Sequence, residues 1–214
     1  IAAMTSLPTY NPNKLAPDNM VARRNAVTHN LYELGSTFKP LTVAAAIDAG
    51  TVTSMARRYD ATAPLAIAGF RIRDSHPSNR WLNVPETLIH SSNITTARIS
   101  DELGRENMEA MFRKLDFNTR PKIDLKERAF PIWPKNWGRL TTMTTGFGHG
   151  IAVTPLHLAS AYAALVNGGI YRPATITKLG DQAPPKGRRV FKAATSARMR
   201  QLLRLIVSDG TGKK

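Results

Sequence analysis

Apolar positions along the chain follow two periods. Residues 40–47 read Pro-Leu-Thr-Val-Ala-Ala-Ala-Ile, an almost unbroken apolar run. Such a run predicts a helix buried on most sides, and Gly50 stands where a left-handed C-terminal cap would end it. Across residues 85–117 the pattern is again helical. Met108, Met111, Phe112 and Leu115 recur on one face and are expected in the core. A short helix opened by Pro85 is followed by one that begins near Ile94 and closes at Gly104. Thr154 and Pro155 suit the cap and first turn of a helix reaching Val166 and ending at Gly168-Gly169. Residues 196–207 predict one more. Residues 60–81 instead alternate, interrupted by Pro64, Gly69 and Pro77. Short strands are expected there, with a hairpin formed by Ala66-Ile67-Ala68 and Phe70-Arg71-Ile72. Ile1-Ala2-Ala3-Met4 reads as the tail of a strand whose start and partner lie outside the chain. Residues 8–18, 121–137 and 146–150 read as loops, the second holding Trp133 and Trp137, and residues 183–189 resemble a linker. The sum is a mixed α+β chain rich in helix, without internal repeats.

A length of 214 residues allows one sizeable domain with a normal buried core. No stretch of eighteen or more apolar residues and no charged-then-apolar leader occurs. The absence of cysteine excludes disulfides and thiolate metal sites. A formal charge of +15 points to an anionic partner. Nucleic acid fits poorly, because the basic residues are scattered, with no aromatic interleaving, zinc spacing or arginine-rich recognition helix. Anionic lipid headgroups and wall polymers match the sign equally well.

Ser36-Thr37-Phe38-Lys39 stands directly ahead of the first apolar run, placing a hydroxyl and an amine three positions apart at a helix mouth. Residues at that spacing share a helix face, and the positive end of the macrodipole disfavours an ammonium there. A neutral Lys39 could take the proton of Ser36 and make it a nucleophile. An N-capping Ser36 with a solvated Lys39 is the bland alternative. Fifty-five positions on, Ser91-Ser92-Asn93 lies between two predicted helices. Such a loop can aim Ser91 and Asn93 into a cleft, or merely cap the following helix. The glycines at 146, 148 and 150 lack the strand, acidic residue or Gly-Lys-Ser/Thr context of a nucleotide loop. The other histidines, 29, 76, 90 and 157, show no metal-like spacing.

Ser-x-x-Lys followed by Ser-x-Asn is the pairing found in penicillin-binding proteins and serine β-lactamases. Together with Gly146-Phe147-Gly148-His149-Gly150 and Ala161-Tyr162-Ala163-Ala164-Leu165-Val166-Asn167-Gly168-Gly169, these stretches resemble the transpeptidase domain of class B penicillin-binding proteins over nearly all of the chain. Ser-Ser-Asn at the second motif is similar to the division-specific, septal type. The resemblance implies an α+β fold of the penicillin-binding-protein and serine β-lactamase kind: an antiparallel sheet flanked by helices, joined to a mainly helical lobe. It implies Ser36, Lys39 and Ser91 as catalytic residues, Asn93, His149 and Gly148 on the substrate side, and neither cofactor nor metal. Peptidoglycan stem peptides, β-lactams and division-machinery membrane proteins are the implied partners. The implied location is the inner membrane, with the catalytic domain in the periplasm and the anchor upstream of Ile1. The family's third motif, Lys-Thr-Gly or Lys-Ser-Gly, does not occur in residues 1–214. The chain is therefore expected to be a transpeptidase-domain piece lacking that strand and the start of its first one. A serine β-lactamase, a β-lactam sensor and a non-catalytic scaffold of the division assembly are the alternatives. The lack of a Glu-x-x-Leu-Asn box speaks against a class A lactamase.

Overall fold

A computed structural model of the chain describes residues 1–14 and 20–213. The first helix, α1 (Ala26–His29), is a single turn capped by the Asn25 side chain. A 3-10 turn, Gly35–Phe38, then feeds α2 (Lys39–Ala49), which ends at Gly50 in the left-handed conformation expected there. Leu41, Val43, Ala44 and Ala46 are fully buried, so α2 is the central post of the molecule. Four short strands follow: β1 (Arg58–Asp60), β2 (Leu65–Ile67), β3 (Phe70–Ile72) and β4 (Trp81–Asn83). β1 pairs with β4 and β2 with β3, both antiparallel. The predicted hairpin is thus present, turning at Ala68-Gly69.

Asn83 and Glu86 form a capping box at the start of α3 (Val84–Ile89). The long α4 (Asn93–Lys114) is two helices merged across Gly104, whose φ of 79° and ψ of 161° break the helical geometry at the position read as a stop. The predicted face of Met108, Met111, Phe112 and Leu115 is buried throughout. It carries an aromatic cluster in which Phe38, Phe112 and Phe117 lie with ring centroids 5.3–5.7 Å apart. Phe38 immediately precedes Lys39, so this cluster clamps the turn that presents Ser36. A second, smaller core of Ile72, Leu82, Ile94, Ala97 and Met143 lies beneath the hairpin. The chain continues through α5 (Arg139–Thr145), α6 (Pro155–Val166), β5 (Ile170–Tyr171), β6 (Arg188–Arg189) and α7 (Ala193–Ser208). Asp48 at the foot of α2 accepts from the backbone of Lys192 and the hydroxyl of Thr195, which fixes the start of α7.

Two expectations change, and the expected antiparallel sheet takes a particular form. Residues 1–4 find no ladder partner among the described residues and form no strand; the Ile1 ammonium donates to the Thr175 carbonyl instead. The expected sheet is represented among the described residues by three separate two-stranded antiparallel pairs. The linker-like stretch ends in structure, since Arg188 and Arg189 pair with Tyr171 and Ile170. Of the predicted loop 8–18, positions 15–18 lie outside the described residues.

His157 is a buried structural group with a measurable signature. Thr154 and His157 make the capping box of α6, Nδ1 accepting from the Thr154 N–H while Nε2 lies 3.0 Å from the Thr119 carbonyl. Desolvation by burial, opposed by the bond to Thr119 and by Asp116, pushes its pKa from 6.5 to about 4. The unfolded chain therefore binds a proton between pH 6.5 and 4 that the folded chain does not. This contribution to stability is present above pH 6.5 and is lost as the pH falls toward 4, to the extent of roughly 3 kcal/mol. Urea midpoints across that window should fall for the native sequence and stay flatter for His157→Gln, which keeps a cap but cannot titrate.

Candidate active site

Two motifs far apart in sequence meet at one hollow of about 220 Å³ lined by Ser36, Lys39, Ser91, Tyr162 and Ile206. Lys39 is 2 % exposed. Its Nζ donates to the Ser91 hydroxyl at 2.9 Å and also to the Ser91 carbonyl. The solvated lysine of the bland reading is therefore excluded, as is a capping Ser36, because the turn has no side-chain cap. The Lys39 backbone N–H donates to the Ser36 carbonyl, but among the described residues no side-chain hydrogen bond joins Ser36 to Lys39, whose amine is turned toward Ser91. The three groups share the hollow, and a nucleophile–base bond commonly tightens only with substrate in place.

Lys39 is held at a pKa of about 8 instead of the ordinary 10.5. The dominant cause is burial, with the charge of Asp74 acting in the opposite direction. The lowered pKa matches the direction expected from the helix mouth, but its cause is the burial of Lys39.

The Ser-Ser-Asn turn is rigid for identifiable reasons. Ser91 adopts φ of 52°, a left-handed conformation uncommon for a non-glycine residue and one that concentrates at functional sites. Its neighbours hold it there, with Ser91 N–H donating to Leu88 and Ser92 N–H to Thr87. Ser92 caps α4 through Thr95 N–H. Asp74, a nearly buried carboxylate, accepts from both the Ser92 hydroxyl and the Ile94 N–H. One residue thus braces the turn and faces the Lys39 charge.

Asn93 and His149 line a different, larger cavity of about 590 Å³. The Asn93 amide donates to the Arg73 carbonyl at 2.8 Å, which aims the side chain across the cavity rim. His149 is exposed and pairs with Glu33 at 2.8 Å, while the other Glu33 oxygen accepts from Gly150 N–H. Gly148, expected at the substrate, is instead buried against the nucleophile turn. Its carbonyl accepts from Gly35 N–H, and a Cβ on it would stand 2.2 Å from the Gly35 carbonyl oxygen. Residues 146–150 therefore shape the seat of Ser36 from behind, helped by the Thr42 hydroxyl bonded to the Gly146 carbonyl.

Against known proteins, residues 1–214 match the family model described as the penicillin binding protein transpeptidase domain. The chain belongs to the penicillin-binding protein transpeptidase family. It is 40% identical over 212 residues to the "Probable peptidoglycan D,D-transpeptidase FtsI" of Caulobacter vibrioides, covering 99% of this chain and 36% of that protein. Identity to "Peptidoglycan D,D-transpeptidase FtsI" of Escherichia coli K12 is 29% over 214 residues, with 99% and 36% coverage. The chain thus spans about a third of the length of these curated relatives. Among solved structures, the apo transpeptidase domain of Burkholderia pseudomallei penicillin-binding protein 3 superposes with a TM-score of 0.81 at 31% identity, covering 88% of this chain and 57% of that one. The α+β penicillin-binding-protein fold follows from these matches.

Three residues of this candidate site had no signal of their own in the sequence. Asp74 sits in an alternating stretch and meets its partners 18 and 20 positions away. Tyr162 donates its hydroxyl to the Thr37 carbonyl, 125 positions away, and pins the turn from the α6 side. Glu33 precedes the motif and meets His149 only through the fold.

Proposed function

We propose that this chain carries the acylating part of a peptidoglycan D,D-transpeptidase acting in septal wall synthesis, with Ser36 as nucleophile, Lys39 as its base and Ser91 as proton relay. The observation that supports it most is the Lys39–Ser91 bond inside a hollow that Ser36 also lines. A buried amine with a pKa of about 8 is partly neutral at pH 7 and can accept the Ser36 proton. Ser36 Oγ then bonds the penultimate D-alanine carbonyl of a stem peptide. The C–N bond to the last D-alanine breaks, and the leaving nitrogen takes a proton delivered from Lys39 through Ser91. An amine of a second stem next attacks the ester carbonyl, the bond between the acyl carbon and Ser36 Oγ breaks, and the amine's surplus proton returns to Oγ by way of Lys39. Asn93 binds a stem-peptide amide, and the backbone N–H of Ser36 contributes to stabilising the oxyanion.

β-Lactams present a strained analogue of the same amide and acylate Ser36. The relatives carry the name peptidoglycan D,D-transpeptidase; the septal role, membrane anchoring, a periplasmic catalytic domain and division-machinery partners are part of the same proposal, drawn from the family resemblance. Peptide mapping after exposure to a penicillin tests the core of this reading. The mass increment should fall on the tryptic peptide that runs from Asn25 through Arg57, the Lys39-Pro40 bond resisting trypsin, with fragmentation placing it on Ser36. An adduct elsewhere, or none, overturns the assignment. Rapid release of the adduct as hydrolysed drug would instead favour a lactamase.

A further inference from the structure

The β2–β3 hairpin turns at Ala68 and Gly69 with φ of 47° and 79°, the two-residue geometry in which both turn residues are left-handed. Its register pairs Ile67 with Phe70, Ala66 with Arg71 and Leu65 with Ile72. In an antiparallel pair closed this way, the residues flanking the turn exchange both backbone bonds and the next pair exchanges none. The N–H and C=O of Arg71 therefore point away from β2, along the outer edge of β3. Phe70, Arg71, Ile72 and Arg73 all line the 590 Å³ cavity. Successive strand residues face opposite sides, so the cavity meets the edge of the strand and not one of its faces. Two residues on from Arg71, the same edge is already in use: the Arg73 carbonyl accepts from Asn93.

The guanidinium groups of Arg71 and Arg73 make no ion pair or hydrogen bond with any described residue, and both side chains are exposed. Leu140 and Phe147 add apolar surface to a lining that also holds Asn136, Thr141 and Thr144. The Glu33 carboxylate beside His149 is occupied by His149 and Gly150. An open strand edge, two uncompensated cations and a mixed lining of apolar, amide and hydroxyl groups are together the recognition chemistry of an extended anionic peptide.

The cavity is tied to the hollow that holds Ser36 through neighbouring residues of the chain. Asn93 on its rim lies two residues beyond Ser91, and His149 follows Gly148, which packs on Gly35. Transfer needs two peptides at one carbonyl: the small hollow takes the acylating one, which leaves the larger cavity for the other. Resting on the function proposed above, we propose that this cavity seats the acceptor stem peptide, which adds as a strand along β3 and places its carboxylates at Arg71 and Arg73.

The first test is binding of a fluorescent peptide, carrying a free side-chain amine and a carboxylate end, to full-length Ser36→Ala protein. Saturable binding is expected, weakened at least tenfold by Arg71→Glu with Arg73→Glu, whereas an amide-capped peptide should not distinguish the two proteins. With Ser36 intact, penicillin labelling reports the fold and the nucleophile, and acyl transfer from a thioester donor to the peptide amine reports the acceptor. The double variant should still label to completion, yet transfer at least tenfold more slowly through a raised acceptor KM. Equal peptide binding, equal transfer, or a double variant that no longer labels would each overturn the cavity assignment. An intact protein that never labels but binds the peptide in an arginine-dependent way overturns only the acyl-enzyme reading and leaves the cavity as a peptide site.

Discussion

Lys39→Met is expected to slow acylation by a labelled penicillin about a thousandfold or more, the range for removal of a general base, and to make the protein more stable at pH 7. Both effects have one origin. Lys39 is 2 % exposed and is held near pKa 8 chiefly by burial. At pH 7 roughly a tenth of the molecules hold the free amine. Acylation should therefore climb about tenfold between pH 6 and 7 and level off above 8. Stability follows with the opposite preference. Below pH 8 the folded state contains a buried ammonium, and the depression from 10.5 to about 8 represents roughly 3 kcal/mol. That cost is relieved as the pH rises from 8 to 10.5, because there the unfolded chain binds the proton and the folded chain does not. A methionine of similar length removes it, for a gain of about 1–3 kcal/mol at pH 7. Urea midpoints of the two proteins should differ most below pH 8 and converge toward 10.5. A methionine variant that still acylates within tenfold of the native rate, or that is no more stable, would refute the role given to this amine.

What the sequence could and could not reveal follows from the range of the interactions. Gly50, the Ala68-Gly69 hairpin and the Met108–Leu115 face were readable because each depends on residues within one or two turns of chain. The Ser36–Lys39 spacing was local too, and it predicted the lowered pKa of Lys39. The cause was not local: Lys39 is 2 % exposed in the folded chain, and burial is the dominant cause of the shift. Asp74 was invisible for the same reason, since a carboxylate that braces a turn 18 residues away resembles any surface acid until the hairpin is folded. The expected sheet came from family resemblance and not from periodicity, and the short alternating segments of this chain yield only paired ribbons. The substrate-side place of Gly148 is implied by the family resemblance alone, whereas its contact with Gly35 spans more than a hundred residues and has no local signal.

That contact makes Gly148→Ala the most damaging small substitution in the nucleophile seat. The residue has φ of 79°, and the added methyl carbon would lie 2.2 Å from the oxygen and 2.7 Å from the nitrogen of Gly35, both backbone atoms. No side chain can swing aside, so the backbone of Gly35, and with it Ser36, must move. The left-handed conformation costs about 1–2 kcal/mol and the overpacking about 1–3 kcal/mol more. Because a displacement of about 1 Å at a reacting group can cost roughly a hundredfold in rate, acylation should fall well over tenfold. Gly50→Ala supplies the control: it has the same φ of 79°, but nothing lies within 4 Å of its would-be Cβ. It should lose only about 1 kcal/mol and keep the native acylation rate. Urea unfolding and penicillin acylation on the pair separate backbone strain from the collision. If Gly148→Ala tracks Gly50→Ala in both measurements, the glycine turn does not support the nucleophile.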